Sequence, residues 1–142
     1  MALVARIYEW SRRSAKRKSL GQRGEDAAAR YLRRKGYHVV ARGDRSALGE
    51  LDLVAVDNRT VVFVEVKTRR SHDAGHPAES VHESKQQQLA RLALAFLRRH
   101  DLLECPARFD VVAVTWPDDQ RKPAIEHYVN AFDAPERGQM FS

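Results

Sequence analysis

The chain has 142 residues, of which 43% are hydrophobic and 31% are charged, so it is long enough for one domain with an apolar core and too short to favour two. Its net charge of +6 fits either a polyanionic partner such as nucleic acid or a solvated positive surface. The single cysteine, Cys105, excludes an intrachain disulfide and a thiolate metal cluster, which suits a reducing cytoplasm. No apolar stretch approaches the roughly 20 residues of a membrane span, so we expect a cytoplasmic protein without a membrane partner.

Residues 1–20 form a basic N-terminal segment that does not have the order of a secretory signal. Its six cations are Arg6, Arg12, Arg13, Lys16, Arg17 and Lys18. We interpret it as an arm that contacts nucleic acid, with a disordered tail as the alternative. Residues 21–133 are assigned to the α/β domain and residues 134–142 to a C-terminal tail.

A helix is predicted from Leu20 until Gly36, where a helix would stop. One stripe of this helix carries, in order, Glu25, Ala28, Ala29 and Leu32. Glu25 therefore leads a face that should pack inward. It is either a functional acid or a helix-start acid favoured by the macrodipole.

Three strands are predicted next. Residues 37–41 form a short β-prone run, and residues 42–49 have the Gly and Ser content of a loop or an irregular strand entry. Strands at 51–56 and 61–67 follow, joined by a turn at Asp57 and Asn58. The strand at 61–67 begins apolar on both faces, which predicts a central position covered on both sides.

The second half adds one helix and two strands. A polar connection covers residues 68–80, and Ser80 with Glu83 has the spacing of a capping box ahead of a long helix. Lys85 lies one turn before Leu89 on the apolar stripe of that helix, where it is either a site residue or a snorkelling lysine. Strands follow at 108–116 and 124–132, the last at an edge or leading into the tail. This order predicts a mixed α/β sheet with helices on its faces.

Three ionisable residues interrupt the most apolar part of the sequence, in the two central strands. They are Asp52, Glu65 and Lys67. Buried charges are costly unless a metal, a partner charge or a reaction uses them. Mg²⁺ and Mn²⁺ prefer carboxylate and water oxygens, which Asp52 and Glu65 can supply, and Lys67 projects from the same face as Glu65, about 7 Å further along. This spacing suits metal-assisted hydrolysis of a phosphodiester.

Other chemistries find less support in the sequence. Glu65 and Lys67 can also be a simple ion pair at a strand end, with Asp52 in an entry turn. The chain lacks a Walker loop, a dinucleotide fingerprint and a GxSxG elbow. His72 and His76 are four residues apart, but they lie in a Gly- and Pro-containing loop, where helical spacing of zinc ligands has little meaning.

The order of elements and the Asp52, Glu65-Val66-Lys67 pattern resemble the PD-(D/E)xK nucleases of the restriction-endonuclease-like fold, most closely the archaeal Holliday-junction resolvases. More specifically, the chain resembles the uncharacterised bacterial YraN-type family. The resemblance covers residues 20–132 and is carried by GQRGEDAAARYLRRKGY, GELDLVAVD, VVFVEVKTRR, RFDVVAV and HYVNAF.

The resemblance implies an αβββαβ core and a role for each matching residue. Asp52 and Glu65 match the metal-binding acids, Lys67 the catalytic lysine, and Glu25 a helix-borne acid of resolvase-like members. Leu51 stands where the superfamily name has proline, and many members also lack that proline. Glu50 lies in the GE-x-D part of the pattern without an assigned role.

We therefore expect an Mg²⁺- or Mn²⁺-dependent phosphodiester hydrolase that acts on nucleic acid, DNA in preference to RNA, and selects branched or other non-duplex structures by analogy with resolvases. Arg45, Arg69, Arg70 and Lys85 are the expected phosphate contacts. Junction cleavage would require a homodimer. The alternatives are a nucleic-acid-binding module without turnover and a scaffold for an acidic protein partner.

Overall fold

Two α-helices and five strands are present in residues 18–77 and 81–133, which are the residues that the computed structural model describes. In chain order they are α1 (Leu20–Arg34), β1 (His38–Ser46), β2 (Gly49–Asp57), β3 (Thr60–Arg69), a 3₁₀ turn (His72–Ala74), α2 (Glu83–Arg99), β4 (Ala107–Thr115) and β5 (Ala124–Phe132). The predicted mixed α/β class and αβββαβ order are confirmed.

The five strands form one sheet in the order β1-β2-β3-β4-β5. Only β3 and β4 are parallel, because α2 connects them, and the other neighbours are antiparallel. β3 is the middle strand and β5 is an edge strand, as predicted. The long apolar run of β3 is explained by this position, since helices cover both faces of the sheet.

Each face of the sheet carries an apolar cluster under one helix. Under α1 the predicted stripe is buried, and Ala28, Ala29 and Leu32 join Leu53, Val62 and Val112. Under α2 the cluster includes Leu89, Leu92, Phe96, Val54, Phe63 and Phe109. α1 lies especially close to β3 at Gly24, where an added Cβ would overlap the Thr68 side chain and lie 2.8 Å from its Cβ. Gly24 thus sets the depth at which the neighbouring Glu25 sits.

Two local predictions need correction. Of the two alternatives for residues 42–49, the loop is wrong and the irregular strand entry is closer, because β1 continues to Ser46 and its pairing with β2 extends to Ser46↔Gly49, which satisfies the backbone groups of this polar stretch. The capping box before α2 is also wrong. The N-cap of α2 is His82, without a side-chain cap bond, and Ser80 lies outside the described residues. The capping box that does form belongs to α1, between Ser19 and Gln22.

The predicted N-terminal arm falls almost entirely outside the described residues, as does the C-terminal tail. Ser19, within the predicted arm, is the N-cap of α1. None of the helices in the described ranges is long and apolar enough to cross a membrane.

Candidate metal centre

The central sheet divides between β2 and β3, and the candidate site lies where the strands part. Their pairing runs from Asp57↔Thr60 to Leu53↔Val64. Beyond that point β2 remains paired with β1, and β3 remains paired with β4. Asp52 is the first residue of β2 past the division, and its Oδ2 accepts a hydrogen bond from the Val66 N–H at 2.9 Å. We call residues 49–52 and 65–67, together with the side chains of Glu25 and Lys85 that reach them, the fork.

Three carboxylates converge at the fork. Glu25 on α1 and Glu50 and Asp52 on β2 each place an oxygen within 4.8 Å of the other two. All three side chains are half-buried. Burial raises the pKa of Glu25, and the negative charges of Asp52 and Glu50 raise it further. Burial likewise raises the pKa of Asp52, against the opposing effect of the Val66 hydrogen bond.

Glu65 adjoins this group from β3 and is the most buried acid of the fork, with 7% of its side chain exposed. Burial, followed by the charge of Asp52, raises its pKa from 4.5 to about 7, although Lys85 and Lys67 act in the opposite direction. The Lys67 Nζ lies 3.5 Å from Glu65 Oε1, and the Lys85 Nζ lies 3.9 Å from the same atom. Glu65 Oε2 is buried without a hydrogen-bond partner among the described residues.

This donor set fits a hard divalent cation. The three converging carboxylates, with Glu65 beside Asp52, provide only oxygen ligands, as Mg²⁺ and Mn²⁺ prefer. Without a cation these acids repel one another, and a proton shared between Glu65 and Asp52 offsets part of that repulsion. The ammonium groups of Lys67 and Lys85 already offset part of the negative charge of these acids, so the site can accept an anionic phosphate as well as a metal.

Comparison with known proteins identifies the family. A model described as "Uncharacterised protein family UPF0102" matches residues 24–114. The chain belongs to the UPF0102 family. This confirms the resemblance to YraN-type proteins, which are members of that family. The UPF0102 match spans every acid and lysine of the fork, from Glu25 to Lys85.

Similar UPF0102 proteins occur in several bacteria. The chain is 51% identical over 118 residues to a UPF0102 protein of Rhodopirellula baltica, covering 81% of this chain and 71% of the relative. It is 47% identical over 119 residues to one of Geotalea uraniireducens, covering 84% and 93% of the two chains. A UPF0102 protein of Geobacter sulfurreducens is 50% identical over 118 residues, with coverages of 82% and 90%.

The predicted catalytic and metal-binding residues of this UPF0102 protein therefore lie together, and Glu50 joins them. Asp52, Glu65, Lys67 and Glu25 meet at the fork, and Glu50, a nearby acid to which no role was assigned from the sequence, is the third member of the carboxylate group. The period of two along β2, which places residues 50 and 52 on one side of the strand, was the available signal for Glu50. Its convergence with Glu25 depends on the packing of α1 and could not be read from spacing.

The four predicted nucleic-acid contacts divide into two pairs. Lys85 and Arg45 lie beside fork acids, since Arg45 Nε donates to Glu50 Oε2 at 2.9 Å while 82% of its side chain is exposed. Arg69 and Arg70 instead have partners at the carboxyl ends of β3 and β4. Arg69 donates to Gly75 O and Thr115 Oγ1, and Arg70 donates to Trp116 O and pairs with Asp118 at 2.9 Å.

A separate polar network surrounds Asp110 in β4. The fully buried carboxylate accepts hydrogen bonds from Arg108 Nε at 3.0 Å and from the Asn130 N–H at 2.9 Å, and it lies 2.8 Å from His127 Nε2. These partners lower the pKa of Asp110 despite its burial. Arg108 also donates to the Tyr37 hydroxyl at 2.9 Å. Because the carboxylate is satisfied and closed to solvent, we assign this network to stability.

Proposed function

We propose that this protein is a metal-dependent phosphodiester hydrolase that acts on nucleic acid. The observation that carries the proposal is the convergence of Glu25, Glu50 and Asp52 beside the buried Glu65 and the two fork lysines. Stability alone does not explain this arrangement, because the clustered acids repel one another and raise their own pKa values.

The chemistry follows from the donor set. Glu25, Glu50, Asp52 and Glu65 would hold Mg²⁺ or Mn²⁺, which when bound polarises a phosphodiester and lowers the pKa of a water molecule. The ammonium of Lys67 is placed to orient the attacking water and to offset charge on the phosphate. The Lys85 ammonium adds a second positive charge on the α2 side. In the hydrolysis, the water oxygen forms a bond to phosphorus, the bond to the leaving oxygen breaks, and the water proton ends on that oxygen.

Glu65 is the residue best suited to hold a proton at the fork. With a pKa of about 7, its carboxyl is partly protonated near neutral pH in the absence of a cation. Its Oε2, which lacks a hydrogen-bond partner among the described residues, is the atom available for that proton or for a cation. Cation binding and proton release at Glu65 should therefore be linked.

We propose DNA, and branched or other non-duplex DNA in particular, as the substrate. The net positive charge supports phosphate contacts without base readout, and Arg45 is the exposed cation next to the carboxylates. The preference for branched structures rests on the resemblance to resolvases. Cutting both strands of a junction would need two copies of the fork, and so a symmetric dimer.

The test is cleavage by the purified protein of branched, single-stranded and duplex DNA and of RNA, with Mg²⁺ or Mn²⁺. We expect cleavage that chelation abolishes and that Asp52→Asn and Lys67→Ala each reduce by about 10²–10³-fold, as for removal of other preorganised charge-stabilising groups. Asp119→Asn, an exposed acid in the turn after β4, is the matched control and should retain full activity. If neither metal gives the wild type more cleavage than Asp52→Asn on any substrate, the proposal is wrong.

A further inference from the structure

A second charged feature lies on the opposite flank of α1, beside the turn between β4 and β5. A cavity of about 300 Å³ is bordered there by Arg30 and Arg34 of α1, by Arg121 and Lys122 of the turn, and by Trp116. We call it the cationic cavity. Its volume is at the lower end of the range for small-ligand sites, which suits one or two phosphate groups better than a large organic ligand.

The helix and the turn hold the cations of this cavity in place. Arg23, Ala27, Arg30 and Arg34 follow one another at spacings of four, three and four residues, which places them along one flank of α1. Trp116 forms the wall, with the Arg23 guanidinium 4.2 Å from its ring centroid. The indole N–H donates to Gln120 O at 3.1 Å and the Trp116 backbone N–H donates to Arg69 O at 2.8 Å, so wall and turn are tied together.

None of the four cations makes an ion pair with residues 18–77 or 81–133, the part of the chain that the structure describes. Asp118, an acid of the same turn, is paired with Arg70 instead. Four like charges around one cavity repel one another, and an anion that enters the cavity removes that repulsion.

We infer that the cationic cavity binds backbone phosphates of the nucleic acid that reaches the fork. The inference rests on the proposed function for the identity of the polyanion. Along the axis of α1, Arg30 lies about 7.5 Å and Arg34 about 13.5 Å from Glu25. Because the cavity lies on the opposite flank of α1, these axial separations are lower bounds. With one phosphate every 3.4 Å or so of helix axis along a strand, the cavity would hold phosphates at least about two positions from the one at the fork.

The experiment measures the affinity of the full chain for a short labelled DNA duplex and single strand as a function of salt, in EDTA so that no cleavage occurs. The test variant is Arg30→Gln/Arg121→Gln. The control is Arg59→Gln/Arg91→Gln, which removes the same charge from exposed positions away from the cavity. We expect the magnitude of the slope of log K against log salt to fall in the test variant by about 1.8 for the duplex and about 1.4 for the single strand, and by much less in the control. For the duplex, the ratio of wild-type to test-variant affinity should then fall about twelvefold as the salt concentration rises from about 50 to about 200 mM.

Two further measurements make the result specific. In the NMR spectrum, the Trp116 indole N–H should shift when unlabelled DNA is added to the wild type, and it should shift far less in the test variant. Poly-glutamate should compete weakly with DNA. Equal competition by this carboxylate polymer would overturn the assignment to nucleic acid, and equal slopes for test and control variants would overturn the cavity as a binding site.

These outcomes separate the cavity from the hydrolase. Cleavage that depends on Asp52 together with an unchanged salt slope would reject the cavity and leave the hydrolase intact. A reduced slope in a protein that cleaves nothing with either metal would reject the hydrolase and leave the cavity as a nucleic-acid site. Thermal unfolding should show both double variants folded and no less stable than the wild type, because none of the four replaced arginines has an ion-pair partner among the described residues.

Discussion

The buried carboxyl of Glu65 should tie the stability of the protein to pH. Its pKa is about 7 in the folded protein and 4.5 ordinarily. Well below pH 4.5 the folded and unfolded chains both hold the proton, and burial carries no ionisation penalty. As pH rises from that value through about 7, the unfolded chain releases the proton more readily than the folded one, so the free energy of unfolding falls.

The size of the effect follows from the two pKa values. At 1.36 kcal/mol per pKa unit, the difference between 4.5 and about 7 corresponds to about 3 kcal/mol over the whole range. Most of this, about 2–3 kcal/mol, is lost between about pH 5 and pH 8. Glu65→Gln keeps the shape of the side chain but removes the titrating group, so the variant should lack this loss.

Urea unfolding of the two proteins at about pH 5 and pH 8 in EDTA measures the effect directly. Between about pH 5 and pH 8 the free energy of unfolding of the wild type should fall by about 2–3 kcal/mol more than that of Glu65→Gln. Glu104→Gln removes an exposed acid and should instead follow the wild type at both pH values. Parallel pH dependences for wild type and Glu65→Gln would refute the reasoning, because they would mean that Glu65 does not hold its proton in the folded state.

Three further perturbations test separate contacts. Gly24→Ala should cost about 1–3 kcal/mol in urea unfolding, because its Cβ would overlap the Thr68 side chain, and the cost should be smaller in a Thr68→Ala background; equal costs would exclude the clash. Asp110→Asn should lower the free energy of unfolding by about 1–3 kcal/mol, since it removes the buried charge that accepts from Arg108 and the Asn130 N–H while Arg108 keeps its ion pair with Asp57, and an unchanged urea midpoint would contradict this. In a thermal-shift assay at about pH 8, Mg²⁺ at 100 times its Kd should stabilise the wild type by about 2.7 kcal/mol, whereas Asp52→Asn should respond weakly; equal shifts would count against the fork as the binding site.

The fold could be predicted from the sequence because its signals are local. The valine-rich run of β3 predicted a central strand, and the apolar spacing of α1 and α2 predicted the faces they bury. β1 was predicted too short because residues 42–46 are polar, and their strand conformation comes from pairing with β2. The start of α2 was predicted at the wrong residue. The spacing of Ser80 and Glu83 indicates only a local preference for a capping box, and the helix begins at Glu83 with His82 as its N-cap.

The candidate site could be predicted only in part. Charges inside apolar strands marked Asp52, Glu65 and Lys67, since burial of such residues is costly wherever it occurs. The period of two along β2 puts Glu50 on the same side as Asp52, but its convergence with Glu25 comes from the packing of α1, which no pattern along the chain encodes. The cationic cavity was missed for a similar reason, because residues about 90 positions apart, such as Arg30 and Arg121, meet there only after folding.

A crystal structure with Mn²⁺ soaked at about pH 8, read by anomalous scattering, tests the central claim most directly. The account predicts a manganese peak at the fork, bounded by carboxylate oxygens of Glu25, Glu50 and Asp52, with Glu65 turned toward the ion and Lys67 beside it. A fork without a manganese peak, in which Glu65 is paired only with Lys67 and Lys85, would contradict it.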